Sequence, residues 1–172
     1  DIDPKFTVGL PAEDAIFTTY CFLKSKKVVY LPELVHAYRQ RSAGTSISMN
    51  CTSEYCKGLS KAYNIIYENF KANNELGFYR FFYAKSMTYM LYKFIDSRLL
   101  SEEEKIEVLT KMRWFYKLSK ELNVPACQSS LDLIINKIIA GDYKDVIDIC
   151  SVIAEIRTFM PKEIKEKMSK PQ

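Results

Sequence analysis

Two polar segments near the N-terminus contain residue types that carry out chemistry in enzymes. One is the adjacent acidic pair Glu13-Asp14, and the other is a basic, hydroxyl-rich stretch over residues 39–48. A carboxylate held next to an incoming hydroxyl group can accept its proton as a general base. Two carboxylates in the first turn of a helix can instead do no more than complement the helix dipole, which is worth about 0.3–1 kcal/mol. The pair alone leaves both interpretations open.

The second segment offers positive charge and hydrogen-bond donors to an anion. Its candidate binding residues are Arg39, Arg41, Ser46 and Ser48, and Gly44 gives the backbone freedom between them. Arg presents paired donors that fit a phosphate group, and small residues let the backbone approach it. Loops of this composition are also common where the chain is simply solvated. A diphosphate-binding loop and a solvated loop are therefore both compatible with this segment.

The helices and strands that position these two segments are predicted from the spacing of apolar residues and from residues that begin or end such elements. Pro11 suits the first turn of a helix that places the acidic pair near its start, and the lysine-rich stretch 24–27 ends that helix. Two short β-like runs follow at residues 28–31 and 34–38, which predicts a small ribbon of two strands. The predicted fold is thus mainly α: a short α/β segment in residues 1–50, then a bundle of about five helices in residues 51–172.

The helical bundle is predicted from apolar spacing and from end signals. Helices are expected over residues 53–71, 76–97 and 101–122, followed by two amphipathic helices separated by Gly141. Ser101 and Glu104 have the spacing of a capping box, in which each side chain bonds the backbone N–H of the other. Residues 63–94 are rich in Phe and Tyr, which suits a bundle core. Because Lys and Arg interleave with these rings, a membrane-docking surface and a self-association surface are alternatives.

Composition limits the partners and the location. The formal net charge of +4 is too small for the dense basic face of a nucleic-acid-binding domain, so no nucleic-acid partner is expected. Five cysteines without a Cys-x-x-Cys pair, together with a single histidine, cannot form the usual zinc sites and predict reduced thiols in a cytoplasmic protein. The structured pattern begins almost at once after residues 1–4. We therefore expect a piece of a longer protein.

The order and spacing of four short motifs resemble the end of the catalytic domain of family 2 glycosyltransferases. The motifs are Phe-x-x-Gly before the acidic pair, Val-x-Tyr-Leu-Pro-Glu at 28–33, Tyr-Arg-x-Arg at 38–41 and Ser-x-Ser at 46–48. The resemblance covers about residues 5–49, under a third of the chain. The helical remainder is similar to the variable C-terminal extensions of such enzymes. The resemblance implies that residues 1–50 are the C-terminal piece of a GT-A domain and residues 51–172 a helical extension.

Members of this family are inverting enzymes that use nucleotide-sugars. The resemblance implies that the complete enzyme transfers a sugar from a nucleotide-sugar donor to a hydroxyl acceptor, in polysaccharide or glycolipid synthesis at the cytoplasmic face of the membrane. It assigns Asp14 as the catalytic base that deprotonates the acceptor hydroxyl. It assigns Glu13 as the partner that holds the acceptor or orients the base.

The same resemblance assigns the second polar segment to the departing nucleotide diphosphate, whose charge is stabilised by fixed positive groups. Arg39, Arg41, Ser46 and Ser48 match the loop that closes near that diphosphate. Some relatives carry a metal-approaching His where this chain has Arg41, so no residue here is assigned to a metal and His36 is expected to be structural. The family's donor-binding half and its Asp-x-Asp metal motif lie upstream of the matched segment. A divalent metal (Mg²⁺ or Mn²⁺) is therefore expected only in the complete enzyme, and this segment alone is expected to be inactive.

An alternative comes from a different class of protein. The chain can be a non-catalytic helical protein-interaction module in which Glu13 and Asp14 only cap a helix. The two hypotheses differ in one structural requirement. The enzyme needs Asp14 and the loop of residues 39–48 to face one cleft, whereas the module does not.

Overall fold

The chain folds as a helical bundle. The computed structural model describes residues 9–33, 52–97, 99–124 and 129–159. In these ranges there are six α-helices and no β-strand: α1 (Glu13–Lys24), α2 (Ser53–Ala72), α3 (Leu76–Ile95), α4 (Glu102–Glu121), α5 (Ser129–Ala140) and α6 (Tyr143–Phe159). The mainly helical fold is confirmed, and the predicted ends of α2, α3 and α4 agree with the structure to within two residues.

Local sequence explains where the helices begin and end. Thr52 precedes α2, and its hydroxyl oxygen accepts the N–H of Tyr55 at 3.1 Å. The predicted capping box is present: the N–H of Glu104 donates to the Ser101 hydroxyl at 3.2 Å, and the N–H of Ser101 donates to the Glu104 carboxylate at 2.8 Å. Three helices end at a residue with positive φ, as helix C-termini commonly do: Asn74, Asn123 and Gly141.

Helix α2 lies at the centre of the bundle and packs against α1, α3 and α4. It runs parallel to α4, with the rings of Tyr63 and Phe115 stacked at 5.1 Å. Helix α3 runs antiparallel to both, and the Tyr83 hydroxyl donates to the Phe115 carbonyl at 2.6 Å. Helices α5 and α6 pack on α4, and α6 also packs on α3. Much of the aromatic stretch is therefore core, although Phe78 and Phe81 are 68% and 76% exposed.

The prediction of a strand at residues 28–31 is wrong. These residues have no regular secondary structure, and there is no strand in the described ranges that could pair with them. All four side chains are exposed, from 58% at Leu31 to 86% at Tyr30. Their β-branched and aromatic composition favours an extended backbone, but a strand also needs a neighbour for its hydrogen bonds. The second predicted strand, residues 34–38, lies outside the described residues.

The thickness of a bilayer sets a minimum length for a helix that crosses it. A helix needs about 20 predominantly apolar residues to cross the hydrocarbon layer. None of the helices in the described part of the chain is both long and apolar enough to do so.

Candidate functional site

The acidic pair lies in the first turn of α1, as predicted. Glu13 and Asp14 are the first two residues of the helix, and both are exposed. The residue before them, Ala12, has a left-handed backbone (φ 59°) and supplies no side-chain cap. Oδ1 of Asp14 accepts the N–H of Ala15 at 2.9 Å. Asp14 thus satisfies one of the backbone donors that the start of a helix leaves unpaired.

A close contact with α2 fixes the start of α1. A Cβ atom on Gly58 would lie only 2.6 Å from Cδ of Pro11, so the missing side chain lets the turn before α1 sit directly on α2. Ile16 is buried one turn further along α1. At the other end of the helix, Nζ of Lys24 donates to Oδ1 of Asn73 at 3.2 Å. Helix α1 therefore runs parallel to α2, with the acidic pair beside the first half of that helix.

Hydroxyl groups lie along the seam between α2 and α3. The hydroxyl groups of Tyr55 and Tyr89 are 2.9 Å apart, and Nζ of Lys93 lies 5.9 Å and 5.5 Å from the centres of the two rings. Burial, and to a smaller extent the charges of Tyr89 and Asp14, raise the pKa of Tyr63 well above its usual range. Because it stays protonated at neutral pH, the Tyr63 phenol can donate a hydrogen bond but cannot serve as a base.

An open groove of about 790 Å³ lies between the turn at residues 9–11, α2 and α4. We call it the lysine groove, after Lys57, Lys61 and Lys111, which line it together with Trp114. Nζ of Lys57 lies 2.9 Å from the Glu107 carboxylate, and that hydrogen bond raises the pKa of Lys57.

The other two lysines differ from Lys57 in their partners. Lys61 and Lys111 are exposed, and within the described ranges neither forms an ion pair. Nε1 of Trp114 donates to the hydroxyl oxygen of Ser60 at 3.0 Å, which fixes the orientation of the indole. Asp14 does not line this groove, although the turn that forms its wall leads directly into α1.

The second part of the predicted site is the diphosphate-binding loop of residues 39–48. Arg39, Arg41, Ser46, Ser48 and His36 lie outside the described residues. The requirement that the base and the 39–48 loop face one cleft therefore stays a prediction. Within the described ranges no three His, Cys, Asp or Glu side chains are grouped closely enough to hold a metal ion.

The sequence interpretation missed the lysine groove. Lys57 and Lys61 are one helical turn apart on α2, and this spacing was visible in the sequence. Lys111 and Trp114 belong to α4, about fifty residues further along the chain, and only tertiary packing brings them to the same surface.

Comparisons with known proteins add no relative. No protein-family model matches the sequence, and neither the curated proteins nor the solved structures contain a match to it. Function is therefore inferred from the geometry of the chain and from the motifs of its first fifty residues.

Proposed function

We propose that this chain is the C-terminal part of a family 2 glycosyltransferase and that Asp14 is its general base. The observation that carries the proposal is the position of the acidic pair. It is exposed at a helix start that the close contact between Pro11 and Gly58 holds in place, directly after the turn that forms one wall of an open groove. A general base must be accessible and must lie where an acceptor hydroxyl can approach it. The position of Asp14 meets the first condition and supports the second.

In the proposed reaction, Asp14 takes the proton of the acceptor hydroxyl as its oxygen attacks the anomeric carbon from the face opposite the leaving diphosphate. Attack from that face inverts the anomeric centre. Glu13 holds the acceptor or orients the base. The loop of residues 39–48 contributes the positive charge and hydroxyl donors that stabilise the departing diphosphate. A divalent metal in the complete enzyme would neutralise further charge on the donor.

The exposed run at residues 28–31 supports the idea that the N-terminal segment belongs to a larger domain. Four consecutive apolar side chains face water there, at a cost of about 25 cal/mol for each Å² of apolar surface. A further segment that paired with this backbone would complete a strand, and one that packed on the side chains would cover them. The GT-A interpretation requires such a further segment, because it makes residues 1–50 one piece of a larger domain.

The proposed partners are a nucleotide-sugar and a hydroxyl acceptor, at the cytoplasmic face of a membrane. Phe78 and Phe81 are exposed on α3, and the exposed cationic side chain of Lys85 follows Phe81 by four residues on the same face of the helix. Aromatic rings combined with basic groups are typical of surfaces that bind anionic membranes. These residues support a peripheral membrane contact, and self-association through α3 is the other use of the same surface.

Asp14→Asn in the complete enzyme tests the proposal. Asn retains a side-chain oxygen that can accept the Ala15 N–H, so the helix start is preserved while the base is lost. We expect sugar transfer to fall by about 10²- to 10⁴-fold with an unchanged circular dichroism spectrum. Asp148→Asn, the same change at an exposed site on α6, is the matched control and should transfer normally. Near-normal transfer by Asp14→Asn would show that Asp14 is not the base.

The hydrogen bond between Asp14 and Ala15 favours a second candidate, the non-catalytic helical interaction module. Ala12 offers no side-chain acceptor, and Asp14 then serves as the cap. This candidate predicts that the complete protein has no sugar-transfer activity and that Asp14→Asn leaves partner binding unchanged. Detection of transfer by the complete protein would rule it out.

A further inference from the structure

We infer that the lysine groove binds an anionic glycan, so that the acceptor of the proposed reaction carries carboxylate or phosphate groups. The link to sugar transfer rests on the proposed function, whereas binding in the groove can be measured without it. Three properties of the groove carry the inference: its unbalanced charge, its fixed indole ring and its position next to α1.

The charge of the groove is positive because only one of its three lysines is neutralised. Lys57 lies between two carboxylates, 2.9 Å from Glu107 and 3.5 Å from Glu54. Lys61 and Lys111 are exposed and form no ion pair with the described residues. Two ammonium groups on facing helices are therefore available to an anion. The ammonium group of Lys attracts a carboxylate or phosphate group as a point charge.

Trp114 adds a surface suited to a sugar ring. Its indole is half-buried, and its only hydrogen-bond donor is engaged by the hydroxyl group of Ser60. Ser60 in turn donates to the Lys111 carbonyl at 3.1 Å, so the ring is anchored to both α2 and α4. A fixed aromatic side chain presents an apolar surface against which the C–H face of a sugar can pack. Asn64 lines the same groove and offers an amide for sugar hydroxyl groups.

The volume and position of the groove fit an oligosaccharide better than a small anion. A volume of about 790 Å³ lies in the range of sites for organic ligands, and a free phosphate would leave most of it, including Trp114, without a contact. Pro11 forms part of the wall, and Asp14 follows three residues later, at most about 10 Å along the chain. A glycan bound in the groove can thus extend to the acidic pair.

A fluorescence titration tests the inference directly. Trp114 is the only tryptophan of the chain, so intrinsic emission reports on the groove. The 172-residue protein would be titrated with an oligogalacturonate, a phosphomannan oligosaccharide, a neutral malto-oligosaccharide of the same length, and inorganic phosphate. We expect a saturable change in emission with at least one acidic oligosaccharide, binding at least tenfold weaker to the neutral one, and no saturable change with phosphate.

Charge-removing variants locate the binding. The double variant Lys61→Gln/Lys111→Gln is expected to weaken binding of the acidic oligosaccharide at least tenfold. Lys27→Gln/Lys144→Gln removes the same charge from exposed positions after α1 and on α6 and should change the dissociation constant by less than twofold. Equal loss in both double variants would reduce the effect to net charge and overturn the assignment of the groove.

The remaining outcomes separate this inference from the proposed function. Absence of a saturable change with both acidic oligosaccharides, equal binding of the neutral one, or saturation by phosphate alone would each overturn the inference. Loss of transfer in Asp14→Asn would leave the proposed function standing in all of those cases. Conversely, groove binding by a protein without any transfer activity would retain the glycan site and overturn the glycosyltransferase proposal.

Discussion

The contact between Gly58 and Pro11 constrains where α1 begins, and the substitution Gly58→Ala tests that constraint. Gly58 lies inside α2, where alanine is ordinarily more stable than glycine by about 0.5–1 kcal/mol. Here the added Cβ would lie 2.6 Å from Cδ and 3.0 Å from Cγ of the proline ring. The ring is stiff and its φ angle is fixed, so the turn itself would have to move.

The expected magnitude follows from two opposing contributions. Overpacking of a tight contact costs about 1–3 kcal/mol. After the gain in helix propensity is subtracted, Gly58→Ala should lower the free energy of unfolding by up to about 2.5 kcal/mol. Gly77 in α3 is the matched control, because an added Cβ there would meet nothing within 4 Å. Gly77→Ala should raise the free energy of unfolding by up to about 1 kcal/mol, an effect of opposite sign.

Urea unfolding monitored by circular dichroism and by the emission of Trp114 would measure both variants. A third variant isolates the contact: Pro11→Ala combined with Gly58→Ala removes the ring atoms that clash and should recover most of the lost stability. If Gly58→Ala were as stable as Gly77→Ala, the contact with Pro11 would not exist as described and the fixed position of α1 would have to be abandoned.

Three further substitutions test the core and a helix start by the same urea titration. Tyr83→Phe removes a hydroxyl group that donates to a carbonyl of α4 at 2.6 Å and should cost about 0.5–1.5 kcal/mol. Tyr116→Phe removes a buried hydroxyl group that has no hydrogen-bond partner among the described residues. It should therefore leave the free energy of unfolding unchanged or raise it by up to about 1 kcal/mol. A loss of stability equal to that of Tyr83→Phe would show that the Tyr116 hydroxyl group does have a partner. Ser101→Ala breaks the capping box of α4 and should cost about 0.5–2 kcal/mol, and an unchanged midpoint would show that the cap contributes nothing.

The helices of the bundle could be predicted because their signals are local. Ser101 and Glu104 mark the start of α4 by themselves, and Gly141 marks the end of α5 through its left-handed backbone. The absence of a strand at residues 28–31 could not be predicted in the same way. The composition of this segment favours an extended backbone, but whether such a segment becomes a strand depends on a partner elsewhere in the protein.

For the candidate site, too, the residues specified by local signals could be predicted and those brought together by tertiary packing could not. The position of Asp14 in the first turn of α1 could be predicted, because Pro11 and the negative charges are local signals. The lysine groove could not, since it is created by the parallel packing of α2 and α4. That packing depends on contacts such as the stacked rings of Tyr63 and Phe115, which no local pattern specifies. Local sequence thus located the carboxylate, and only the tertiary structure located the lysine groove.

The backbone conformation before α1 helps to distinguish between the two roles considered for Asp14, a helix cap and the proposed general base. If the acidic pair served only to cap the helix, Ser, Thr, Asn or Asp at position 12 would satisfy the same donors from an ordinary extended backbone. The chain instead has Ala12 in the left-handed region, a conformation that costs a non-glycine residue roughly 1–2 kcal/mol. In addition, the turn that precedes Ala12 fits against α2 only because position 58 is a glycine. Backbone strain is commonly kept at functional sites, and the left-handed Ala12 is therefore an argument for the proposed role of the exposed carboxylates beyond that of a cap.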